Sequence, residues 1–321
     1  MYTAPEPGSV ITIDCQFHMP QFAAAYLLVE KNEAAFVDNN TVYAVPRLMA
    51  ALDRQSLDPA QVRYIIITHL HLDHAGATGR LSRICPQATV VAHPRAERHL
   101  IDPTRLISGV KAVYGDEVFA KDYDCVEPVP PDRIMCPADG DTIGLGDRSL
   151  TIMHTLGHAK HHICIHDSTT NGVFTGDSFG IMLPVFQRGS RPFVTCSSAP
   201  PDFDPDEAIK TVDRLTATCA DRMYLTHFGE ITRVDDVALE LIHSIESAKD
   251  IIDEAINNTV ADNLIERFCE TRLREALRRQ ADRCGVNLAE TDWDIMRHDI
   301  SVNAQGLAAV ARNRIGAHTN A

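Results

Sequence analysis

The chain has 321 residues and carries 44 Asp and Glu against 30 Lys and Arg, a formal net charge of −14. That length makes one large domain or two medium ones. With 45% hydrophobic and 23% charged residues, the composition is that of a globular protein and not of a disordered one. The acidic balance argues against broad electrostatic attachment to nucleic acid or to an anionic membrane, while leaving room for a local positive site. Nine cysteines without a CxxC pair read as reduced thiols. The opening MYTAPEPGSVITIDCQF has no basic region followed by an apolar stretch, and no apolar run approaches the length of a membrane span. The expectation is a soluble, cytoplasmic protein without a signal peptide.

In chain order, residues 10–13, 25–30 and 34–37 are predicted strands, the last two joined as a hairpin through Lys31-Asn32-Glu33. A helix follows over 46–55, with Pro46 suited to its first turn. The β-branched run VRYIIIT at 62–68 is too short for a helix and reads as a buried strand. A helix over 75–84 and a strand over 88–92 continue the alternation, which indicates a layered α/β fold. From 101 to 140 the pattern weakens into a long surface connection with one helix over 104–114. Strands resume at 150–154, 162–166 and 172–175. Then come a long loop over 178–205, a helix over 205–215 and a strand over 222–226. After about 233 the apolar spacing of Val237, Leu241, Ile242, Ile245, Ala248, Ile252 and Ile256 is helical. Two regions are expected: an α/β core over 1–232 and a helical extension over 233–321.

Chemistry concentrates at the ends of the strands. Directly after 62–67 comes Thr68-His69-Leu70-His71-Leu72-Asp73-His74. On a loop leaving a strand, His69 and His71 can aim at one point, and Asp73 and His74 at an adjacent one. Imidazole and carboxylate at this density suit zinc, iron or manganese. His158 follows strand 150–154, Asp177 follows strand 172–175, and His227 follows strand 222–226. Four strand ends presenting ligands make a metal site along one edge of a sheet sandwich the natural expectation.

The pattern HxHxDH at 69–74, with GH at 157–158, GD at 176–177 and the later His227, resembles the metallo-β-lactamase superfamily over about 1–230. The stretches THLHLDHAG, GHAKHHICIHD, FTGDSFG and YLTHFG are similar to a prokaryotic branch of uncharacterised hydrolases within it. The resemblance implies an α/β fold, an αββα sandwich with a C-terminal helical extension, and two divalent metal ions, with zinc foremost and iron or manganese also accepted. It implies His69, His71 and His158 as ligands of the first ion, Asp73, His74 and His227 of the second, and Asp177 as the bridge. Asp38 falls where that family supports the metal loop, and Asp73 where a residue carries a proton to the leaving group. The implied activity is hydrolysis of a small ester, thioester or lactone by a metal-bridging hydroxide.

Other classes compete with this one. A mononuclear iron oxidoreductase like the persulfide dioxygenases uses a similar motif. A nuclease is disfavoured by the net charge. A third class would act mainly through regulatory contacts of the C-terminal helices, which can equally cover a substrate, as in glyoxalase II, or form a homodimer interface. No glutathione-binding pattern of Lys, Tyr and Arg is visible there.

Outside the motif, His161 or His162 could donate to a ligand carboxylate, or simply pack. The segment GDTIGLG at 140–146 reads as a turn into a strand and not as a phosphate loop. In the 178–205 loop, Phe179, Met182, Leu183, Phe186 and Phe193 either wall a substrate or pack on their own core, and Arg188 or Arg191 could meet an acidic substrate group. The arginines at 267–283 read as a solvated face with ion pairs.

Overall fold

The β-branched and aromatic runs before residue 232 pair into two six-stranded sheets in the computed structural model, which describes residues 8–319. The first seven residues of the segment read above for a signal peptide lie outside the described residues. The first sheet runs β1 (Val10–Asp14), β2 (Ala24–Glu30), β3 (Glu33–Val37), β4 (Val62–Ile66), β5 (Thr89–Val91) and β6 (Ile134–Met135). Its first two junctions are antiparallel and the rest parallel. The second sheet runs from β7 (Thr142–Leu145) through β8 (Arg148–Thr155), β9 (His162–Asp167), β10 (Gly172–Gly176) and β11 (Arg222–Leu225) to β12 (Gly229–Ile231). Only the pairing of β10 with β11 is parallel in this sheet.

Strand β2 shows why these residues form a central strand. Every residue in it is buried, because side chains alternate between two cores. Ala25, Leu27 and Val29 face a core shared with Leu48 and Leu52 of helix α1 (Val45–Arg54). Ala24, Tyr26 and Leu28 face a core between the sheets, shared with Ile152, Ile165, Phe174 and Tyr224. Strand β4 splits in the same way, with Ile65 in the first core and Tyr64 and Ile66 in the second. Burying a side chain of this size contributes about 1.5–3 kcal/mol, so the double burial explains the near-continuous apolar runs.

The architecture is the expected αββα sandwich with C-terminal helices, and some elements differ in detail. The expected helix over 75–84 is two helices, α2 (Leu72–Ala75) and α3 (Thr78–Ile84). Between them the Asn40 carbonyl and the Asn39 side chain take the Ala77 N–H, so the run is interrupted. Asp73 and His74 therefore sit on a helical turn and not on a loop. Helix α4 (Glu97–Ile101) leads into the connection over 101–140, which contains α5 (Thr104–Tyr114) and α6 (Asp116–Asp122); of the three only α5 was expected. Helix α6 buries a single residue, Phe119, so its spacing carries no amphipathic signal. The GDTIGLG segment supplies β7, one arm of a hairpin with β8.

Two compact units divide the chain. The first comprises 1–155, 161–176 and 220–232, and so holds both sheets. The second comprises 156–160, 177–219 and 233–321. It holds α7 (Pro205–Thr216), α8 (Val234–Asn257), α9 (Ile265–Cys284) and α10 (Glu290–Thr319). Its core joins Phe203 to Ile251 and Ile252 of α8, Cys269 of α9 and Leu307 of α10. Among the described residues, no helix is long and apolar enough to cross a membrane.

Candidate metal centre

In the first unit, β4 ends at Ile66 and delivers residues 68–71 and then α2, while β11 ends at Leu225, just before Thr226 and His227. The structure brings Asp73, His74 and His227 together, one donor atom of each lying within 4.8 Å of the others. Asp73 Oδ2 is 3.2 Å from His227 Nε2 and 3.6 Å from His74 Nε2. The rings of His69 and His71 stand edge to face, 4.5 Å apart.

The outer nitrogens explain why these rings point as they do. His227 Nδ1 lies 2.9 Å from the Phe22 carbonyl oxygen. A carbonyl only accepts, so Nδ1 carries the proton and Nε2 keeps its lone pair. His74 Nδ1 lies 2.8 Å from Asp38 Oδ2, with the same consequence. Asp38 is buried at the end of β3, and its φ of 54° is in the left-handed region that Asp and Asn tolerate better than most residues. Its carboxylate also accepts from Thr68 N at 2.8 Å, Thr68 Oγ1 at 3.0 Å and Thr226 Oγ1 at 2.7 Å. The single Thr68 hydroxyl proton is spent on Asp38, so Thr68 Oγ1 accepts from His69 Nδ1 at 3.1 Å. One carboxylate thereby sets the tautomer of His74 directly and of His69 through Thr68. Asn40 Nδ2 donates to the Asp73 carbonyl at 2.9 Å, holding the start of α2.

In the second unit, His158 and Asp177 are brought together, with Nε2 and Oδ2 3.6 Å apart. His158 Nδ1 lies 3.1 Å from the Ser197 carbonyl oxygen, so its Nε2 also keeps a lone pair. Asp177 directly follows Gly176, the last residue of β10, and Gly176 has φ +49°. A Cβ there would collide with Thr68 and His162, which only glycine avoids.

Imidazole nitrogens with outwardly committed protons, together with carboxylate oxygens, are a donor set that fits a first-row divalent cation. Asp38 stands at the supporting position expected of it. His162 stacks on the His69 ring at 4.9 Å and meets Thr155 Oγ1 at 2.8 Å through Nδ1. His161 Nδ1 accepts from Leu70 N at 3.3 Å. Both therefore brace the first histidines of the motif. Sequence reasoning missed Asn39, Asn40, Thr68 and Thr226, polar residues beside strand ends that have no ligand chemistry of their own. It also missed the Phe22 and Ser197 carbonyls, which have no signature in the letters.

The 178–205 loop builds the interior of the second unit. Phe179, Leu183, Phe186 and Phe193 are buried. Arg188 is held by Asp292, and Arg191 reaches Glu240 at 3.3 Å, so both arginines face carboxylates of the helices. Burial pushes the Glu240 carboxyl up, and Arg283 and Arg191 outweigh it, leaving the group below its ordinary range. Two other arginines of α9 form ion pairs of the expected kind, Arg272 with Glu254 and Arg274 with Glu270. His93 lies against His154, with ring centroids 4.3 Å apart; burial and that neighbour lower it to about 4, so it stays neutral.

Two sheets whose strand ends carry buried His and Asp residues define an α/β protein with a candidate metal site. The family model of the metallo-β-lactamase superfamily matches residues 20–227, and the chain belongs to that superfamily. It is similar along most of its length to the metallo-β-lactamase fold-containing protein ST1585 of Sulfurisphaera tokodaii. In sequence the two are 22% identical over 292 residues, 90% of this chain and 91% of that one. The crystal structure of ST1585 superimposes with a TM-score of 0.66 at 20% identity, covering 94% of this chain and 99% of that one, a likeness of fold. Shorter matches are to the human acyl-coenzyme A thioesterase MBLAC2, 33% identical over 128 residues, and to the N-acyl homoserine lactonase AttM of Agrobacterium fabrum, 33% identical over 106. These cover 39% and 33% of this chain and 45% and 35% of the relatives, so the chain spans less than half the length of either.

Proposed function

We propose that the protein is a dinuclear metal-dependent hydrolase acting on a small ester, thioester or lactone. In this reading His69, His71 and His158 would hold one ion and Asp73, His74 and His227 a second, with Asp177 as the carboxylate that would serve both. The observation that carries this is the convergence of His74 and His227 Nε2 on one carboxylate, Asp73, while both Nδ1 protons are committed elsewhere. Chain continuity supports the rest of the set: β8 ends three residues before His158, and β10 runs straight into Asp177. Two relatives carry names from the same reaction class, an acyl thioesterase and an acyl lactonase.

Bound divalent ions supply an acidified water and a Lewis acid for the acyl oxygen. The chain supplies orientation and proton handling. Asp38, Thr68 and the Phe22 carbonyl fix the rings, so the donors are set before the ions arrive. Asp73 is partly open at 23% exposure while His74 and His227 are buried, so its carboxylate can take up a proton and pass it to the leaving alkoxide or thiolate. The substrate is a small molecule and the setting cytoplasmic.

Metal analysis of the purified protein, followed by a screen of thioesters, lactones and phosphodiesters, tests the assignment. Two ions per chain with thioester or lactone hydrolysis is the expected result. One iron per chain with oxygen uptake overturns it in favour of persulfide-type chemistry. Asp177→Asn is expected to lose bound metal and hydrolysis together, and full activity in that variant sinks the bridge.

A further inference from the structure

We propose that Asn303, on α10, is a positioning residue for the metal ligand His158, which makes the C-terminal helices part of the outer support of the metal centre. The proposal rests on the assignment of His158 as a ligand. Everything else it uses lies within the second unit. The Nδ1 proton of His158 lies on the Ser197 carbonyl oxygen at 3.1 Å, so the direction of that carbonyl helps to aim the ring.

Residues on both sides of Ser197 are clamped, its immediate neighbours by the helices. Thr195 pairs with Ile181 in an isolated antiparallel bridge. Cys196 N donates to Ser244 Oγ of α8 at 3.0 Å. Ser198 N donates to Asn303 Oδ1 at 2.7 Å, and Ser198 Oγ donates to the Asn303 carbonyl at 3.2 Å. The next turn of α10 brings Gly306 so close that any Cβ there would overlap the Ser198 carbonyl oxygen. A loop carbonyl would ordinarily move with its chain. Here a half-buried amide on α10 holds the N–H of the peptide that carries the Ser197 carbonyl, and a hydroxyl on α8 holds the N–H of Cys196.

A supporting residue behind a metal ligand typically changes metal affinity by about 10–100-fold when removed. Asn303→Ala deletes the acceptor of the Ser198 N–H and lets residues 197–198 relax, whereas Asn303→Asp keeps an oxygen acceptor at the same place. Neither change touches Asp73, His74 or His227.

The test is competitive titration of the metal-free full-length chain with zinc against a chromophoric chelator, together with cadmium NMR of the loaded protein. The expected result for Asn303→Ala is a fall of about 10–100-fold in the affinity of one of two ions, the other holding, with one of two cadmium resonances moved. Asn303→Asp restores most of the lost affinity. A lowered melting temperature with both affinities and both resonances unchanged shows a merely structural role and overturns the inference. An equal loss at both ions, or failure of Asn303→Asp to rescue, also overturns it. Should Asn303→Ala not fold, Ser198→Ala, which removes only the hydroxyl donor, is scored by the same criteria with a smaller expected loss. Wild-type protein that binds no metal overturns the hydrolase assignment as well. Wild-type protein that binds metal with affinities indifferent to residue 303 overturns this inference alone.

Discussion

Asp38 coordinates nothing in the proposed site, and it carries more of the geometry than several ligands do. Its two oxygens collect four donors from Thr68, His74 and Thr226, the last 188 residues away along the chain. Asp38→Ala strands those donors in a buried place, which costs about 1–3 kcal/mol for each one left unsatisfied. It also frees the His74 ring to choose the wrong tautomer. The expected outcome is a fall of roughly 10–100-fold in metal affinity, read by chelator competition, with a clear drop in melting temperature. Unaltered affinity would remove Asp38 from the support of the site. The proposed ligands stand out in the letters, because HxHxDH puts several donors in one short stretch and the others each follow a recognisable strand. Their supports were not. Thr68 and Thr226 are ordinary threonines until the sheets bring them to one carboxylate, and a backbone carbonyl such as that of Phe22 or Ser197 is common to every residue type.

At the scale of elements, strands doubly buried between cores were the easiest to read, since β2 and β4 need apolar side chains on both faces. Helices interrupted by a tertiary contact were the hardest. The break between α2 and α3 is made by Asn39 and Asn40, distant in sequence from the residues they interrupt. Helix α10 shows a similar dependence at its first turn. Asp292 accepts from Ala289 N at 2.7 Å and is gripped by Arg188 from the 178–205 loop. That guanidinium, with the Ala289 amide, holds the Asp292 carboxyl below its ordinary value of 3.8. A depressed folded-state pKa adds stability that is present above the unfolded value and is lost as pH falls through the folded one. Asp292→Asn is therefore expected to lower the melting temperature at pH 6–8, and the gap from wild type should close only below about pH 4. Arg188 is 42% exposed, so water screens the pair and the loss is about 1 kcal/mol or less. A gap that stays constant from neutral to acid pH would show that the charge on Asp292 contributes nothing.

Over the whole molecule, the helices after residue 233 share a compact unit with two earlier segments, 156–160 and 177–219. The core of that unit joins Phe203 to α8, α9 and α10, and the loop behind His158 is tied to Ser244 and Asn303. Truncation after residue 232 is thus expected to leave the two sheets with their own cores while residues 177–219 lose theirs. Limited proteolysis should cut within 177–219, and metal binding should weaken by at least about tenfold. Full metal content with 177–219 protected would show that the extension is dispensable. The sequence by itself determined the α/β class, most of the strands and the candidate metal-binding residues, because periodicity and donor chemistry are local properties of short stretches, while the short edge strands β6, β7 and β12 left no such pattern. Only the tertiary structure decided which histidine nitrogen carries its proton, that Asp38 and Ser197 aim the rings, and that the C-terminal helices pack with the segment carrying His158 and Asp177. Those are contacts between residues far apart in the chain, and no local pattern records them.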